Sequence, residues 1–186
     1  MVEFKPELAM PLEALAGREI GQIGIIVQDI DQAVRRYAKL WGLGPWSFYT
    51  YGPETVPHMT YRGADGAHSM RLALAGDSPQ MEFIEPLDGP SIYHEFIDGT
   101  GYGIHHVGVV VDHFDGAAKS MMDAGYAIVQ SGSGFGLDGD GAYAYFDTEG
   151  DLDVILEIIE RPRRRREPEA IWPEEPKPPT NVDFER

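Results

Sequence analysis

One ten-residue pattern occurs twice in this chain. Gln22-Ile-Gly-Ile-Ile-Val-Gln-Asp-Ile-Asp31 returns 84 residues later as His106-Val-Gly-Val-Val-Val-Asp-His-Phe-Asp115. Each copy is followed by a second echo, Glu82-Phe-Ile-Glu85 in the first half and Glu157-Ile-Ile-Glu160 in the second. An internal repeat decides architecture before any local propensity does. It also sets Gln22, Glu82, His106 and Glu157, all able to bind a metal, at equivalent points of two related modules.

Local patterning gives each module the same plan. The β-branched run from Gln22 to Val27 reads as a strand. Asp31 is placed to cap a helix from Gln32 to about Trp41, ended by Gly42 and Gly44-Pro45. Trp46 to Tyr51, Met59 to Arg62, Ser69 to Ala75 and Gln80 to Glu85 read as strands. After a short helix at Ile92 to Ile97, the plan repeats: a strand from His106 to Val111, a helix capped by Asp115, and strands at 127–130, 142–147 and 154–160. The expected organisation is a lead-in at 1–20, a βαβββ module at 21–86, a linker at 87–104, a second βαβββ module at 105–160 and a Pro/Arg-rich arm at 161–186. Six prolines make that arm extended. It is expected to lie on the protein's own surface or on a partner subunit, or to be mobile.

Composition narrows the class. The chain has 186 residues and is 42% hydrophobic, enough for one compact domain or two small modules sharing a core. No run approaches the roughly 20 apolar residues of a membrane span. Met1 to Gly21 lacks the apolar centre of a signal peptide. A soluble cytoplasmic protein is the expectation. With no cysteine, any metal must be held by His, Asp, Glu, Gln or backbone oxygen. Residues 1–160 carry 8 Lys and Arg against 25 Asp and Glu, whereas 161–186 carry 7 against 6. A core this acidic repels a nucleic-acid backbone. The Arg163 to Arg166 run reads as a solvated charge run.

The glutamates carry the chemical signal. Glu157 stands inside Val-Ile-Leu-Glu-Ile-Ile, and Glu82 inside Met-Glu-Phe-Ile. A carboxylate buried in such a strand is costly unless it is paired, hydrogen-bonded or bound to a metal. Glu85 and Glu160 fall near strand ends and are expected to be solvated. Taken in register with Gln22 and His106, Glu82 and Glu157 make a set of one nitrogen and three oxygens. Such a set suits one divalent ion such as Zn, Mn, Ni, Co or Mg.

These modules and ligand positions resemble the vicinal oxygen chelate superfamily, which includes glyoxalase I, methylmalonyl-CoA epimerase, extradiol dioxygenases and bleomycin-resistance proteins. The resemblance spans roughly residues 20–160. The stretch Glu82-Phe-Ile-Glu-Pro-Leu, with Ser91-Ile92, Phe96-Ile97 and Gly101-Tyr-Gly-Ile-His-His-Val-Gly, looks most like the epimerases. The set Gln-Glu-His-Glu looks like that of animal-type glyoxalase I. The resemblance implies an α+β fold whose curved sheets enclose a metal cleft, with Gln22, Glu82, His106 and Glu157 as ligands, and a homodimer. Two departures matter. Dioxygenases of the superfamily need His where this chain has Gln22. The epimerases need a second carboxylate base on the strand before Glu82, where this chain has Arg71.

The expected function is therefore that of a metal-dependent isomerase or lyase. It would use enolate-type proton transfer on a small, apolar or aromatic carbonyl or hydroxy-carbonyl compound. Glu157 and Glu82 are the candidate catalytic bases. Arg71, Trp46 and Tyr145 are candidates for holding substrate. His105 is a candidate to orient a ligand, with a place on the opposite face of its strand as the alternative. A methylmalonyl-CoA epimerase-like enzyme and a non-catalytic small-molecule binding or resistance protein are the rival readings. Ser131-Gly-Ser-Gly-Phe-Gly136 lacks the lysine of a phosphate loop and reads as a mobile loop over the pocket. Asp138-Gly-Asp140-Gly141 reads as a hairpin turn, because Ala142 and Tyr143 stand where a calcium loop needs an acid or Asn and a Gly.

Overall fold

The computed structural model describes residues 11–174. The first ten residues of the expected lead-in and the last twelve of the arm lie outside them. In chain order the elements are β1 (Gln22–Ile26), α1 (Ile30–Trp41), β2 (Trp46–Tyr51), β3 (His58–Tyr61), β4 (Ala64–Asp65), β5 (Met70–Ala75) and β6 (Gln80–Pro86). They continue as α2 (Ile92–Gly99), β7 (Gly103–Val110), α3 (Phe114–Asp123), β8 (Ile128–Phe135), β9 (Gly141–Phe146), α4 (Glu149–Leu152), β10 (Ile155–Glu160) and β11 (Ala170–Trp172).

All the strands join one open, curved sheet in the order β11-β2-β5-β6-β1-β7-β10-β9-β8-β3-β4. The fold is α+β. In each module the first strand pairs in parallel with the last, β1 with β6 and β7 with β10. The modules meet where β1 and β7 pair antiparallel. The four strands that carry the candidate ligands are thus the central ones. One expected strand lies elsewhere than in its own module: β3 pairs with β8 of the second module. A Thr60–Ser131 hydroxyl contact of 2.7 Å accompanies that pairing.

Alternation along the strands sorts the apolar residues into three layers. On the outer face of module one, Ile25, Phe48, Ala73 and Phe83 pack with Ile30 and Val34 of α1. On the outer face of module two, Val109, Phe146, Leu156 and Ile158 pack with Ala117 and Met121 of α3. The inner layer takes Ile26, Leu72, Leu74, Ile84, Tyr143, Tyr145 and Ile155 from both modules, with Tyr93 of α2.

The helix caps differ from the expected ones. Asp29, not Asp31, caps α1, accepting the Gln32 N–H at 2.8 Å. Gly42, with φ of 67°, ends that helix in the left-handed conformation that a glycine adopts without strain. At α3 the expected Asp115 lies inside the first turn. Its cap comes from the last strand, where the Glu160 carboxylate accepts the Phe114 N–H at 2.7 Å. Glu160 is therefore engaged, not merely solvated. A carboxylate there also faces the positive end of the helix dipole.

The described part of the arm is stitched to the surface. β11 pairs antiparallel with β2, and Glu169 accepts the Thr50 N–H at 2.8 Å. The Arg35 guanidinium lies 5.6 Å above the Trp172 ring. The stretch expected as a mobile glycine loop is instead ordered as part of β8. Gly132 is needed there because a Cβ would stand 2.5 Å from the Tyr143 ring. The residues that follow, up to Asp140, form the turn between β8 and β9.

Phe83 has no exposed surface and stacks on Trp46 at a centroid distance of 4.5 Å. Phe83→Ala should lower stability by about 3–5 kcal/mol in chemical denaturation. Because Phe83 faces α1, residual folded protein should keep the inner layer, seen as unchanged near-ultraviolet signals from its tyrosines.

Candidate metal centre

Pairing of β1 with β7 brings the two halves of the repeat within reach of each other. Gly24 lies opposite His106, and Gln22 opposite Gly108. β6 and β10 flank this pair, and their alternation turns Glu82 and Glu157 to the inner face. His106 Nε2 lies 3.1 Å from Glu157 Oε2 and 3.5 Å from Glu82 Oε2. One ligand atom from each of the three residues falls within 4.8 Å of the others. His106 is fully buried, and Glu82 and Glu157 are 7% and 4% exposed. Gln22, 7% exposed, lines the same cavity and donates its amide to Gln80 at 3.3 Å.

The repeated glycines make room for this cluster. A Cβ on Gly24 would stand 1.9 Å from His106 Cε1. A Cβ on Gly108 would stand 3.0 Å from Gln22 Cβ and 3.2 Å from Glu157 Oε2. The Gln-x-Gly and His-x-Gly halves of the repeat are therefore interlocked: each glycine seats a ligand of the other module. A glycine inside a buried strand is the signal for such an approach.

A divalent ion fits the donor set. His106 Nε2 and Glu157 Oε2 are buried, converge, and yet have no well-directed hydrogen-bond partner among the described residues. Buried polar atoms normally find one. Two lone-pair donors aimed at a common point, with a second carboxylate beside them, suit a bound cation. Without an ion the cluster is held as an ion pair. Burial opposes a charge on His106, but Glu157 and Glu82 outweigh it and raise its pKa to about 9. Burial raises the Glu157 pKa, against the pull of His106.

A bulge in β7 at this level turns His105 inward as well. The opposite-face alternative for His105 therefore does not hold. Its Nδ1 lies 3.0 Å from His106 Nδ1. Burial and the neighbouring His106 charge depress its pKa to about 2, so it stays neutral and can accept a hydrogen bond from His106. That arrangement leaves His106 Nε2 free as a lone-pair donor. The ring of His105 is packed edge-on against Tyr93 and Phe96.

A cavity of about 70 Å³ opens above the cluster. Met70, Leu72, Leu74 and Ile159 form its apolar wall, and Tyr51, Tyr93, Tyr143 and Tyr145 its aromatic one. Tyr145 is thus where the sequence places a substrate contact; its hydroxyl accepts from Tyr93 at 3.0 Å. Two other expected contacts are elsewhere. Arg71 points to the outer face and pairs with Glu85 at 3.1 Å and Asp31 at 3.3 Å. Glu85, expected to be solvated, is held by that pair. Trp46 is fully buried in the outer core, its indole N–H donated to the Leu43 carbonyl at 2.8 Å. Both corrections follow from strand parity, which puts Leu72 and Leu74, not Arg71, on the inner face. In their place the cavity receives Arg165. A run of four arginines beside acidic residues gave no sign that one of them turns inward.

Residues 21–146 match the Glyoxalase/Bleomycin resistance protein/Dioxygenase superfamily, and the chain belongs to it. No curated protein sequence matches. Among solved structures, a hypothetical protein, BH1468, from Bacillus halodurans C-125 is 19% identical with a TM-score of 0.59, covering 81% of this chain and 99% of its own. Methylmalonyl-CoA epimerase from Mycobacterium tuberculosis is 20% identical with a TM-score of 0.58, over 81% of this chain and 95% of its own. A variant of Streptomyces coelicolor methylmalonyl-CoA epimerase, in complex with 2-nitronate-propionyl-CoA, is 18% identical with a TM-score of 0.58, over 80% of this chain and 98% of its own. At these identities the likeness is one of fold. Among the described residues, no helix is long and apolar enough to cross a membrane.

Gly24→Ala should push the His106 ring out of place and weaken divalent-ion binding by about ten- to a hundredfold, measured by competition with a chromophoric chelator. His106 in the ion-free protein keeps its proton up to about pH 9, and Nε2 must shed it to bind an ion. Ion uptake at pH 7 should therefore release protons, and apparent affinity should climb between pH 6 and 9. Calorimetry in buffers of different ionisation enthalpy measures both.

Proposed function

We propose that this protein is a metal-dependent isomerase or lyase that moves a proton next to the carbonyl of a small, apolar or aromatic substrate. The observation that carries the reading is the convergence of His106 Nε2 and Glu157 Oε2, buried 3.1 Å apart without a well-directed hydrogen bond, with Glu82 beneath an apolar cavity. Gln22, Glu82, His106 and Glu157 would hold the ion. A divalent ion there supplies polarisation of a substrate carbonyl or hydroxyl oxygen.

The chain's own groups supply the rest. Glu157 takes up and returns the proton. Burial makes it a stronger base than an exposed carboxylate, which suits general base work near neutral pH. Tyr143 is buried with its hydroxyl unpartnered among the described residues, and burial with the nearby glutamates keeps it protonated. It is placed to donate to a substrate oxygen. The aliphatic wall of Met70, Leu72 and Leu74 excludes water from the proton's path.

That wall also argues against the epimerase reading. β5 turns only Met70, Leu72 and Leu74 inward, so it offers no second acid facing Glu157. The small cavity and acidic core suit a nucleotide thioester poorly. A homodimer remains part of the proposal, on family likeness.

Purified protein should contain about one divalent ion per chain by elemental analysis, and His106→Ala should abolish its uptake. Solvent deuterium should enter aryl ketone substrates at the carbon beside the carbonyl. Glu157→Gln should slow that entry at least a hundredfold. Protein that takes up no divalent ion under any condition would sink the enzyme reading. Exchange into methylmalonyl-CoA but not into small ketones would favour the epimerase instead.

A further inference from the structure

Among the described residues, Arg165 is the one lysine or arginine that lines the cavity. It is partly buried and has no ion pair among those residues, unlike its neighbours Arg163 and Arg164. Those neighbours anchor the segment on the β8–β9 turn. Arg163 Nε meets Asp140 at 2.6 Å, and Arg164 Nε meets Asp138 at 2.9 Å. The Leu137 N–H donates to the Arg164 carbonyl at 2.9 Å. Pro162 is buried against Gly136, where a Cβ would stand only 2.4 Å from the proline ring. The backbone on the N-terminal side of Arg165 is thus pinned by two ion pairs, a hydrogen bond and a close packing contact. On its C-terminal side, Glu169 is tied to Thr50.

This fixing places a guanidinium over an apolar cavity whose other charged lining groups, among the described residues, are Glu82 and Glu157. Those two lie at the metal centre, and His106 stands between them. Arg165 also lies near Tyr51: burial raises the pKa of that hydroxyl and the Arg165 charge works against the rise. A cation held at an apolar pocket in so acidic a chain is poised for an anion from outside the protein. One guanidinium fork matches one carboxylate. A phosphate dianion or a coenzyme A ester would bring more negative charge than a single arginine can meet above two glutamates.

We infer that Arg165 anchors the carboxylate of the substrate, so that the substrate class is aryl or branched apolar keto acids whose carbonyl end points to the His106 cluster. This rests on the reading of that cluster as the reacting end, but the anchor itself is tested separately. The arm residue, not a sheet residue, then sets specificity for the charged end of the molecule.

Calorimetry on the full chain with para-acetylbenzoate and benzoylpropionate, each beside its methyl ester, tests the anchor. The acids should bind about ten- to a hundredfold more tightly than the esters. Arg165→Ala should erase that ratio, Arg165→Lys should keep part of it, and Arg166→Ala, on an exposed neighbour, should leave it intact. Thermal melting should show all three variants folded, since Arg165 makes no ion pair among the described residues. Equal binding of acid and ester, no binding of any of the four compounds, or an acid preference that survives Arg165→Ala would overturn the inference. Phenylphosphonate binding more tightly than the acids would overturn the carboxylate assignment. The ratio is measured again on His106→Ala protein. There it should persist even if no deuterium ever enters a substrate, which separates failure of the proton-transfer reading from failure of the anchor.

Discussion

The antiparallel pairing of β1 with β7 is the contact on which the rest of the molecule depends. It brings the first strand of each repeat to the centre of one sheet, with the last strand of each module outside it. Only in that order do Glu82 and Glu157 meet at His106. The pairing is close because Gly24 and Gly108 lack side chains, so that the His106 ring and the Gln22 side chain, each from the other module, fill the space. Two carboxylates and an imidazole are then buried together. This is an arrangement that a protein keeps only where the charges are mutually compensated or used.

The arrangement separates tasks by face. Outer positions of the same strands pack on α1 and α3 and supply stability through residues such as Phe83 and Ile158. Inner positions supply donors, tyrosines and an apolar wall. A substitution one residue along a strand therefore changes either the core or the site, seldom both. The β3–β4 hairpin adds a second tie between the modules, since it leaves module one to pair with β8. The arm adds a third, joining β2 to the far turn between β8 and β9 and carrying Arg165 across the cavity.

Much of this was legible in the chain. The repeat announces two modules, and the buried glutamates at equivalent points announce where the modules must face each other. Helix caps were less legible, because Asp29 and Asp31 are equally good cap residues and only the backbone shows which one precedes the first turn. The face of His105 was left open between the two sides of its strand. Two adjacent residues on one face require a bulge, and nothing in Ile-His-His-Val signals one. The glycine-rich stretch misled for a related reason. Its glycines provide room for the Tyr143, Pro57 and Pro162 rings, not mobility.

The sequence by itself determined the two-module plan, the equivalent positions of Gln22, Glu82, His106 and Glu157 in it, and the exclusion of thiolate chemistry. Those follow from repetition, from residue type and from the cost of burying a carboxylate in a strand, all local properties. Tertiary structure alone decided which face each residue serves. Arg71 and Trp46 fall outside, Tyr143 and Tyr145 inside, because strand parity is counted from pairing partners far away in the chain. It also decided that Arg165 belongs to the cavity. An arginine in a basic run carries no mark of direction. Its place comes from Asp138 and Asp140, which hold the two arginines before it.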